Sequence, residues 1–285
     1  MIPAAFDYAA PSSLDEAIGI LHEHPDEAKL MAGGHSLLPL MKLRLAAPEL
    51  IVDLRRIPNL SYIRDHGDHV AIGPMTIHYK LNTSELLKKR LPLLAQAAGM
   101  VGDMQVRNRG TIGGSLAHGD PASDLPTVAT ALGATVVAQG PNGQRSIDSN
   151  DFFQDIWTTS LREDEIITEI RIPYGRGEPA QDYQKFRMRA ADWAMVGVAV
   201  DVRRSNGSIE QASVVMTNVG PTPMRARGVE EALRGQPADK DTIAQAAERA
   251  ADGLTPTAEL RASPEYKKHL ANVMTRRALA AALGL

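Results

Sequence analysis

Two glycine pairs, Gly33-Gly34 and Gly113-Gly114, constrain this chain more than any other pattern in its sequence. Glycine adopts positive φ without steric cost, and because it has no Cβ it lets backbone N–H groups approach a phosphate closely. The hydroxyls of Ser36, Thr111 and Ser115 lie beside the pairs as further donors. A single glycine pair is more often a simple tight turn, but two pairs in one chain favour a site for a diphosphate.

Neither glycine-rich run matches the common phosphate-binding motifs. Neither shows the G-x-G-x-x-G pattern of a Rossmann fold, and neither shows the G-x-x-x-x-G-K-[ST] pattern of a P-loop. The sequence therefore predicts a nucleotide site of a different type.

The chain contains no cysteine. This excludes disulfides, thiolate nucleophiles and any zinc ion or iron–sulfur cluster held by cysteines of this chain. Redox chemistry would therefore need an organic cofactor or a partner chain.

The composition is that of a compact globular protein. Of 285 residues, 44% are apolar and 23% are charged, and the net charge is −3. Basic and acidic residues are interspersed, so the sequence predicts binding neither to nucleic acid nor to an anionic membrane. It contains no apolar run of roughly 18 residues and no secretion signal, which predicts a cytoplasmic location and no transmembrane segment.

The apolar periodicity predicts an α+β fold. A helix should begin at Ser13, with Glu16 completing a capping box, and residues 103–125, rich in Gly, Asn, Asp and Pro, should form a long loop. Strands are predicted at 29–32, 50–54, 69–73, 135–139, 166–173, 183–189, 195–204 and 208–219. Helices are predicted at 84–100 with a break at Pro92, 125–132, 229–234, 241–252 and 264–283. Asn206-Gly207 predicts a hairpin turn, and residues 175–179 are the best linker candidate.

Two long motifs resemble the flavoprotein subunit of the molybdenum hydroxylases, the xanthine dehydrogenase family. They are AGGHSLLPLMKLRLAAPELIVDL (32–54) and RNRGTIGGSLAHGDPASDLPTVATALGA (107–134). The similarity continues through IPAAFDY, TNVGPTPMRA (217–226) and the C-terminal helix, and it is strongest to the branch that oxidises carbon monoxide. It implies a PCMH-type FAD-binding domain at 1–176, with subdomains of about 1–58 and 59–176. A small α+β domain with a three-stranded antiparallel sheet and helices would follow at 177–285.

The resemblance also implies which residues hold FAD. In that family the first motif wraps the pyrophosphate and the ribityl side of the flavin, which implicates Ala32, Gly33, Gly34, His35, Ser36 and Leu37, with Lys29 close by. The TIGG motif closes over the dinucleotide from the second subdomain and implicates Thr111, Gly113, Gly114 and Ser115. Asp124, and Asp120 with it, would hydrogen-bond an FAD hydroxyl, and Leu161 would make an adenine or backbone contact.

The resemblance implies that two residues of the C-terminal domain lie beside the flavin ring. Lys185 matches a lysine whose charge would stabilise the reduced ring. Trp193 stands where relatives carry a tyrosine beside the flavin, and an alternative reading makes it a core aromatic at the start of a strand.

The resemblance implies that the redox centres are distributed over three different subunits. A large subunit would hold the molybdenum cofactor, a small subunit two [2Fe–2S] clusters, and FAD in this chain would pass electrons to a quinone, NAD or a carrier protein. The complex would be a dimer of heterotrimers, in the cytoplasm or peripherally associated with the inner face of the membrane. No residue of this chain is implied as catalytic or as a metal ligand.

Several alternatives stay open from the sequence. The substrate of the complex is carbon monoxide, an N-heterocycle or an aldehyde, because the large subunit would select it. A free-standing FAD oxidoreductase and a non-enzymatic scaffold that has lost the flavin are the competing functions.

Overall fold

A computed structural model describes residues 2–175 and 179–285 of the chain. The middle of the predicted linker, residues 176–178, lies outside the described residues. The α+β class is confirmed, and the described residues form three main sheets in sequence order.

The N-terminal region is a small parallel sheet with crossover helices. Its elements are β1 (Asp7–Ala9), α1 (Leu14–Glu23), β2 (Ala28–Met31), α2 (Leu37–Lys42) and β3 (Leu50–Asp53). The strand order is β1-β3-β2, and Ile51 of β3 is paired with Tyr8 on one side and Lys29 on the other. Since the strands are parallel, their carboxyl ends meet at one edge, where open α/β sheets bind ligands.

Helix α1 begins where the sequence predicts, with one difference in its cap. The Ser13 hydroxyl accepts a hydrogen bond from the Glu16 N–H at 3.1 Å, as in a capping box. The Glu16 carboxylate accepts from the N–H of Ser12 at 2.7 Å and not from Ser13, so the reciprocal contact is made one residue earlier.

The second region is a five-stranded antiparallel sheet covered by short helices. Its strands are β4 (Ile63–Asp65), β5 (His69–Ile72), β6 (Thr135–Gly140), β7 (Gly143–Asp148) and β10 (Ile166–Pro173), in the order β4-β5-β10-β6-β7. Strands β8 (Phe153–Asp155) and β9 (Thr158–Thr159) form a separate hairpin. The helices are α3 (His78–Thr83), α4 (Glu85–Arg90), α5 (Pro92–Met100), α6 (Met104–Arg107), α7 (Ile112–His118), α8 (Asp124–Ala131) and α9 (Ser149–Phe152).

The prediction of a long loop at 103–125 is wrong, because this segment contains α6 and α7. Asp103 caps α6 by accepting a hydrogen bond from the N–H of Val106 at 2.9 Å. Thr111 caps α7 by accepting from the N–H of Gly114 at 3.1 Å. The side-chain caps offset the weak helix propensity of this glycine-rich stretch.

The C-terminal region is an antiparallel sheet with helices that follow it in sequence. Its strands are β11 (Ala180–Phe186), β12 (Val196–Ser205), β13 (Ser208–Thr217) and β14 (Met224–Arg225), and its helices α10 (Arg227–Leu233), α11 (Lys240–Ala247) and α12 (Pro264–Leu283). The three predicted strands are present, and β14 adds a short fourth strand to the sheet. Asn206 and Gly207 both have positive φ, as the predicted two-residue hairpin requires.

The C-terminal sheet is buried on both faces. Tyr183, Ala199 and Val215 face the second region and share its apolar core, whereas Val198 and Met216 pack with α12 in a separate core. The sheet therefore connects residues of the second region with the C-terminal helices. Among the described residues, no helix combines the length and the apolarity needed to cross a bilayer.

Candidate cofactor site

The first glycine motif presents a row of free backbone donors at the carboxyl edge of the parallel sheet. It follows β2 directly and ends at the start of α2. Within the described residues, the N–H groups of residues 33–37 donate no hydrogen bond to the protein. Gly34 has φ of +73°, a conformation that turns the chain and that residues with a Cβ rarely adopt. Consecutive free N–H groups in a turn form a concave site for an anion.

The second glycine motif differs from the first, although the sequence suggested the same role for both. Gly113 and Gly114 lie in the first turn of α7, not after a strand. The N–H groups of residues 112–115 already donate to Thr76, Pro74 and Thr111, so they are not available to a phosphate. Since the Thr111 oxygen accepts from Gly114, its O–H proton remains free for donation, and Ser115 makes no side-chain hydrogen bond within the described ranges. This motif therefore offers hydroxyl donors.

The two motifs are in direct backbone contact. A Cβ on Gly33 would lie only 2.3 Å from the carbonyl oxygen of Arg109, and a Cβ on Gly114 would lie 3.5 Å from the Cβ of Ala32. Separations below 3 Å are not compatible with a side chain at Gly33. Glycine at position 33 is thus required by the close approach of the second region.

A cationic cleft of about 340 Å³ runs along this contact. It is lined by Ala32, Gly33, Leu54, Arg55, Ile57, Asn59, Leu60, Ser61, Met75, Ile77, Asn108, Arg109 and Thr111. The lining contains two arginines and no carboxylate, which favours an anionic ligand. Apolar side chains such as Ile57 and Met75 supply the surface that a ring system would cover.

Arg55 is held in the cleft by a buried carboxylate at the end of β3. Asp53, which is 1% exposed, forms an ion pair with Arg55 at 2.7 Å and accepts a hydrogen bond from the Tyr8 hydroxyl at 2.7 Å. Burial alone would raise the pKa of Asp53, but the hydrogen bonds from Arg55 and Tyr8 outweigh it and hold the pKa below its ordinary value. The carboxylate is therefore charged and fixes the guanidinium at the cleft.

Asp124 and Lys185, both predicted site residues, form a buried ion pair between the second region and the C-terminal sheet. Lys185 Nζ lies 2.7 Å from Asp124 Oδ2, and the Tyr183 hydroxyl donates to Asp124 Oδ1 at 2.6 Å. The side chains of Lys185 and Asp124 are 2% and 4% exposed. Burial raises the pKa of the Asp124 carboxyl, and Lys185 and Tyr183 offset only part of that shift.

This pairing limits what the two residues can do for a cofactor. Both Asp124 oxygens already accept hydrogen bonds from the protein, and Lys185 also donates to the Met100 carbonyl at 3.1 Å. An FAD hydroxyl could bind Asp124 only by sharing an oxygen that is already engaged. The predicted contacts of Asp124 with a hydroxyl and of Lys185 with the flavin ring stay predictions.

Four further predicted residues, Asp120, Leu161, Trp193 and Lys29, are not part of the cleft lining. Asp120 accepts from the N–H of Ala122 at 2.8 Å and shapes the turn before α8. Trp193 is 59% exposed and precedes β12, which begins at Val196, so the alternative reading as a core aromatic is wrong. Leu161 packs at the edge of the second region's core, and Lys29 is exposed on β2.

His78 is a buried polar residue that the sequence did not reveal. It begins α3 beneath the second motif, and a Cβ on Gly110 would lie 2.7 Å from its Nε2. Its Nδ1 is buried without a partner among the described residues. Burial, with a smaller electrostatic contribution from the neighbouring His35 and Arg107 side chains, lowers the pKa of His78 to about 4, so its ring is neutral at neutral pH.

Sequence reasoning also missed several residues that line the cleft. Asn108 and Arg109 belong to the second motif and precede the TIGG run by one residue, Gly110, so their position was a usable signal. For Arg55 and Asn59 the sequence carries no such signal, because their place at the cleft depends on how the first two regions pack.

Together, a parallel sheet with free N–H groups at its carboxyl edge and a cationic cleft shared with a second region define a dinucleotide-binding protein. The comparisons with known proteins specify the dinucleotide. A family model described as the FAD binding domain in molybdopterin dehydrogenase matches residues 4–175. A second, described as the CO dehydrogenase flavoprotein C-terminal domain, matches residues 181–282.

Individual relatives match over nearly the whole chain. The medium chain of carbon monoxide dehydrogenase from Hydrogenophaga pseudoflava is 43% identical over 282 residues, covering 99% of this chain and 98% of that protein. The medium chain of glyceraldehyde dehydrogenase from Sulfolobus acidocaldarius is 35% identical over 278 residues, covering 98% of each. A solved structure of the Hydrogenophaga pseudoflava carbon monoxide dehydrogenase superimposes with a TM-score of 0.97 at 44% identity, covering 100% of this chain and 99% of its own.

The chain belongs to the family of FAD-binding flavoprotein subunits of the molybdenum hydroxylases. It is the FAD-binding electron-transfer component of an oxidoreductase complex.

Proposed function

We propose that the FAD diphosphate binds to the free N–H groups of residues 33–37 and that the rest of the dinucleotide follows the cationic cleft toward Thr111 and Ser115. The observation that carries this proposal is the contrast between the two motifs: five consecutive unengaged donors in the first, and only hydroxyl donors in the second. Arg109 adds positive charge beside this row, and Arg55, whose charge is balanced by Asp53, adds a guanidinium group at the cleft. Charge-assisted hydrogen bonds from backbone N–H groups are the strongest that such a turn can give a phosphate.

The remaining predicted residues have supporting roles in this proposal. Ala32, Gly33 and Gly114 keep the two motifs in contact, and Gly113 allows the second motif to pack closely against Pro74. His35 and Ser36 flank the diphosphate. Asp124 and Lys185 fix the C-terminal sheet against the end of the cofactor, Asp120 and Leu161 border it, and Trp193 covers the flavin ring from the C-terminal region. Lys29 lies outside this set and adds positive charge at the sheet.

The proposed relay follows from what this chain can and cannot supply. Bound FAD supplies the ability to accept electrons singly and to deliver them singly or as a pair. The chain has no cysteine, so it cannot hold an iron–sulfur cluster through thiolates. From the family resemblance we propose two [2Fe–2S] clusters in a small partner subunit and the molybdenum cofactor in a large one, in a dimer of heterotrimers. The electron acceptor is a quinone, NAD or a carrier protein.

Carbon monoxide is the proposed substrate of the complex. Support comes from the relative that is 43% identical, named as the medium chain of carbon monoxide dehydrogenase. An aldehyde is the second candidate, because the glyceraldehyde dehydrogenase medium chain is 35% identical over a similar length. Copper beside molybdenum in the purified complex would support carbon monoxide, whereas oxidation of glyceraldehyde without copper would support the aldehyde.

The domain division and the location belong to the same proposal. The FAD-binding domain spans 1–176, with subdomains of about 1–58 and 59–176, and the flavoprotein C-terminal domain spans 177–285. Separate buried clusters around Val52, Ile72 and Val198 support three cores. The complex is cytoplasmic, either free or associated peripherally with the inner face of the membrane.

The site is tested by Gly34→Ala, with Gly133→Ala as the matched control. Both glycines have positive φ, of +73° and +63°, so both substitutions strain the backbone by roughly 1–2 kcal/mol. Only Gly34 lies in the row of free donors. We expect Gly34→Ala to weaken FAD binding about tenfold or more, as the loss of one charged hydrogen bond would, while Gly133→Ala binds FAD normally.

Isothermal titration of the flavin-free full chain with FAD measures both affinities. Unchanged FAD affinity in a folded Gly34→Ala protein would contradict the proposed site. If FAD affinity fell equally in both variants, the cause would be general destabilisation and the proposed site would not be supported.

A further inference from the structure

Asn218 connects two segments that border the proposed flavin site. It belongs to the 217–226 motif and has φ of +62°, a left-handed conformation that asparagine tolerates better than most residues. Its N–H donates to the Pro121 carbonyl at 2.8 Å, in the turn that contains Asp120. Its side-chain amide donates to the Ala194 carbonyl at 2.8 Å, next to Trp193. One residue thus fixes both segments.

Lys267 of α12 in turn holds Asn218 in place. Its side chain is completely buried, and its Nζ donates to the Asn218 carbonyl at 3.0 Å and to Glu259 Oε1 at 2.5 Å. The same Glu259 oxygen accepts from the Asn218 amide at 2.9 Å. Lys267, Glu259 and Asn218 therefore form a closed ring of hydrogen bonds.

A buried ammonium group is costly unless its bonds are satisfied, so this ring fixes its members strictly. A core methionine or leucine at position 267 would fill the same apolar surroundings without that cost. The charge therefore has a consequence other than packing: it determines where the Asn218 carbonyl and amide point.

We propose that Lys267 is a positioning residue for the flavin site, acting through Asn218 on Trp193 and on the turn at Asp120. The inference rests on the proposed function, in which Trp193 covers the flavin ring. Trp193 is 59% exposed, so packing does little to fix its backbone. The Asn218 amide donates to the carbonyls of both Ala194 and Met195, and so restrains the backbone that directly follows Trp193.

Flavin fluorescence of the full chain loaded with FAD tests this inference, because an indole in contact with the ring quenches its emission. Trp193→Leu should raise the emission relative to the parent protein. This variant tests whether Trp193 covers the flavin ring, independently of Lys267. Lys267→Met should raise the emission in the same direction with Trp193 intact, and should weaken FAD binding about tenfold, as one misplaced hydrogen bond would. Leu279→Ala, also buried in α12 but outside the ring, is the matched control and should leave emission unchanged.

Asn218→Gly tests the same positioning role if Lys267→Met does not fold. Glycine keeps the left-handed backbone and the N–H bond to Pro121 but loses the amide bond to Ala194, so emission should rise while FAD affinity stays close to that of the parent. If Trp193→Leu raises the emission but Lys267→Met and Asn218→Gly remain quenched like the parent, the positioning role is refuted. If Trp193→Leu changes nothing, the proposed place of Trp193 fails instead.

Discussion

The buried pair between Asp124 and Lys185 leads to a quantitative prediction about stability. The substitution Lys185→Met removes the ammonium group from a site where its side chain is 2% exposed and that of its partner 4%. Asp124 then keeps only the hydrogen bond from Tyr183. An unpaired buried charge of this kind destabilises a protein by about 3–5 kcal/mol, and we expect that loss at neutral pH.

The loss should depend on pH in a defined direction. Burial already raises the pKa of Asp124 above the ordinary 3.8, and removing Lys185 raises it further. A carboxyl with a raised folded-state pKa binds protons more readily when folded, so the stability of the variant increases relative to the parent as pH falls through that pKa. The deficit is complete at alkaline pH and decreases toward acid pH.

Urea denaturation of the full chain, followed by circular dichroism at several pH values, measures this deficit. Lys88→Met is the matched control, because Lys88 pairs with Glu85 at 2.8 Å on an exposed helix surface and should cost less than about 1 kcal/mol. The double variant Asp124→Asn/Lys185→Met removes both charges and should be more stable than Lys185→Met alone. A Lys185→Met loss no larger than that of Lys88→Met, or one that does not change with pH, would refute the reasoning.

Two further predictions concern residues beneath and beside the cleft. The pKa of His78 falls from 6.5 to about 4 on folding. Stability that is present above pH 6.5 is therefore lost as the pH falls toward 4, by about 3.5 kcal/mol at roughly 1.4 kcal/mol per pKa unit. His78→Leu should remove that part of the pH dependence of urea unfolding, and an identical pH dependence in the variant would contradict this prediction. Thr111→Val and Ser263→Ala each remove the side-chain cap of a helix and should each lower the stability by about 1 kcal/mol. Only Thr111→Val should also weaken FAD binding in a calorimetric titration. Equal FAD affinities of the two variants would show that Thr111 is not part of the site.

Local signals in the sequence predicted the local structure well. Pro92 divides two helices, and Asn206-Gly207 turns a hairpin, because backbone restrictions at these residues act within a few positions. The first glycine motif was likewise predicted to follow a strand and to bring free N–H groups toward a phosphate. Its geometry needs only the strand before it and the helix after it.

Features that depend on distant contacts were predicted less well. The second motif was predicted to be a loop because its sequence resembles an ordinary glycine-rich turn. Helix α7 begins there because the Thr111 hydroxyl accepts a hydrogen bond from the N–H of Gly114, and the sequence alone does not reveal that bond. Asp124 and Lys185 are 61 residues apart in the sequence, and neither segment contains a pattern that predicts their pairing. Asn218, which directly follows β13, donates to the carbonyl of Ala194 next to Trp193, and the sequence around Trp193 gives no sign of this contact.

The central claim, that residues 33–37 hold the FAD diphosphate through free N–H groups, is tested most directly by residue-resolved amide hydrogen exchange with and without FAD. The N–H groups of Gly33, Gly34, His35, Ser36 and Leu37 donate no hydrogen bond within the described protein, whereas those of residues 112–115 do. We predict fast exchange at 33–37 in the flavin-free chain and strong protection once FAD is bound, with residues 112–115 protected in both states. Exchange at 33–37 that stays fast in the FAD-bound protein would contradict the account.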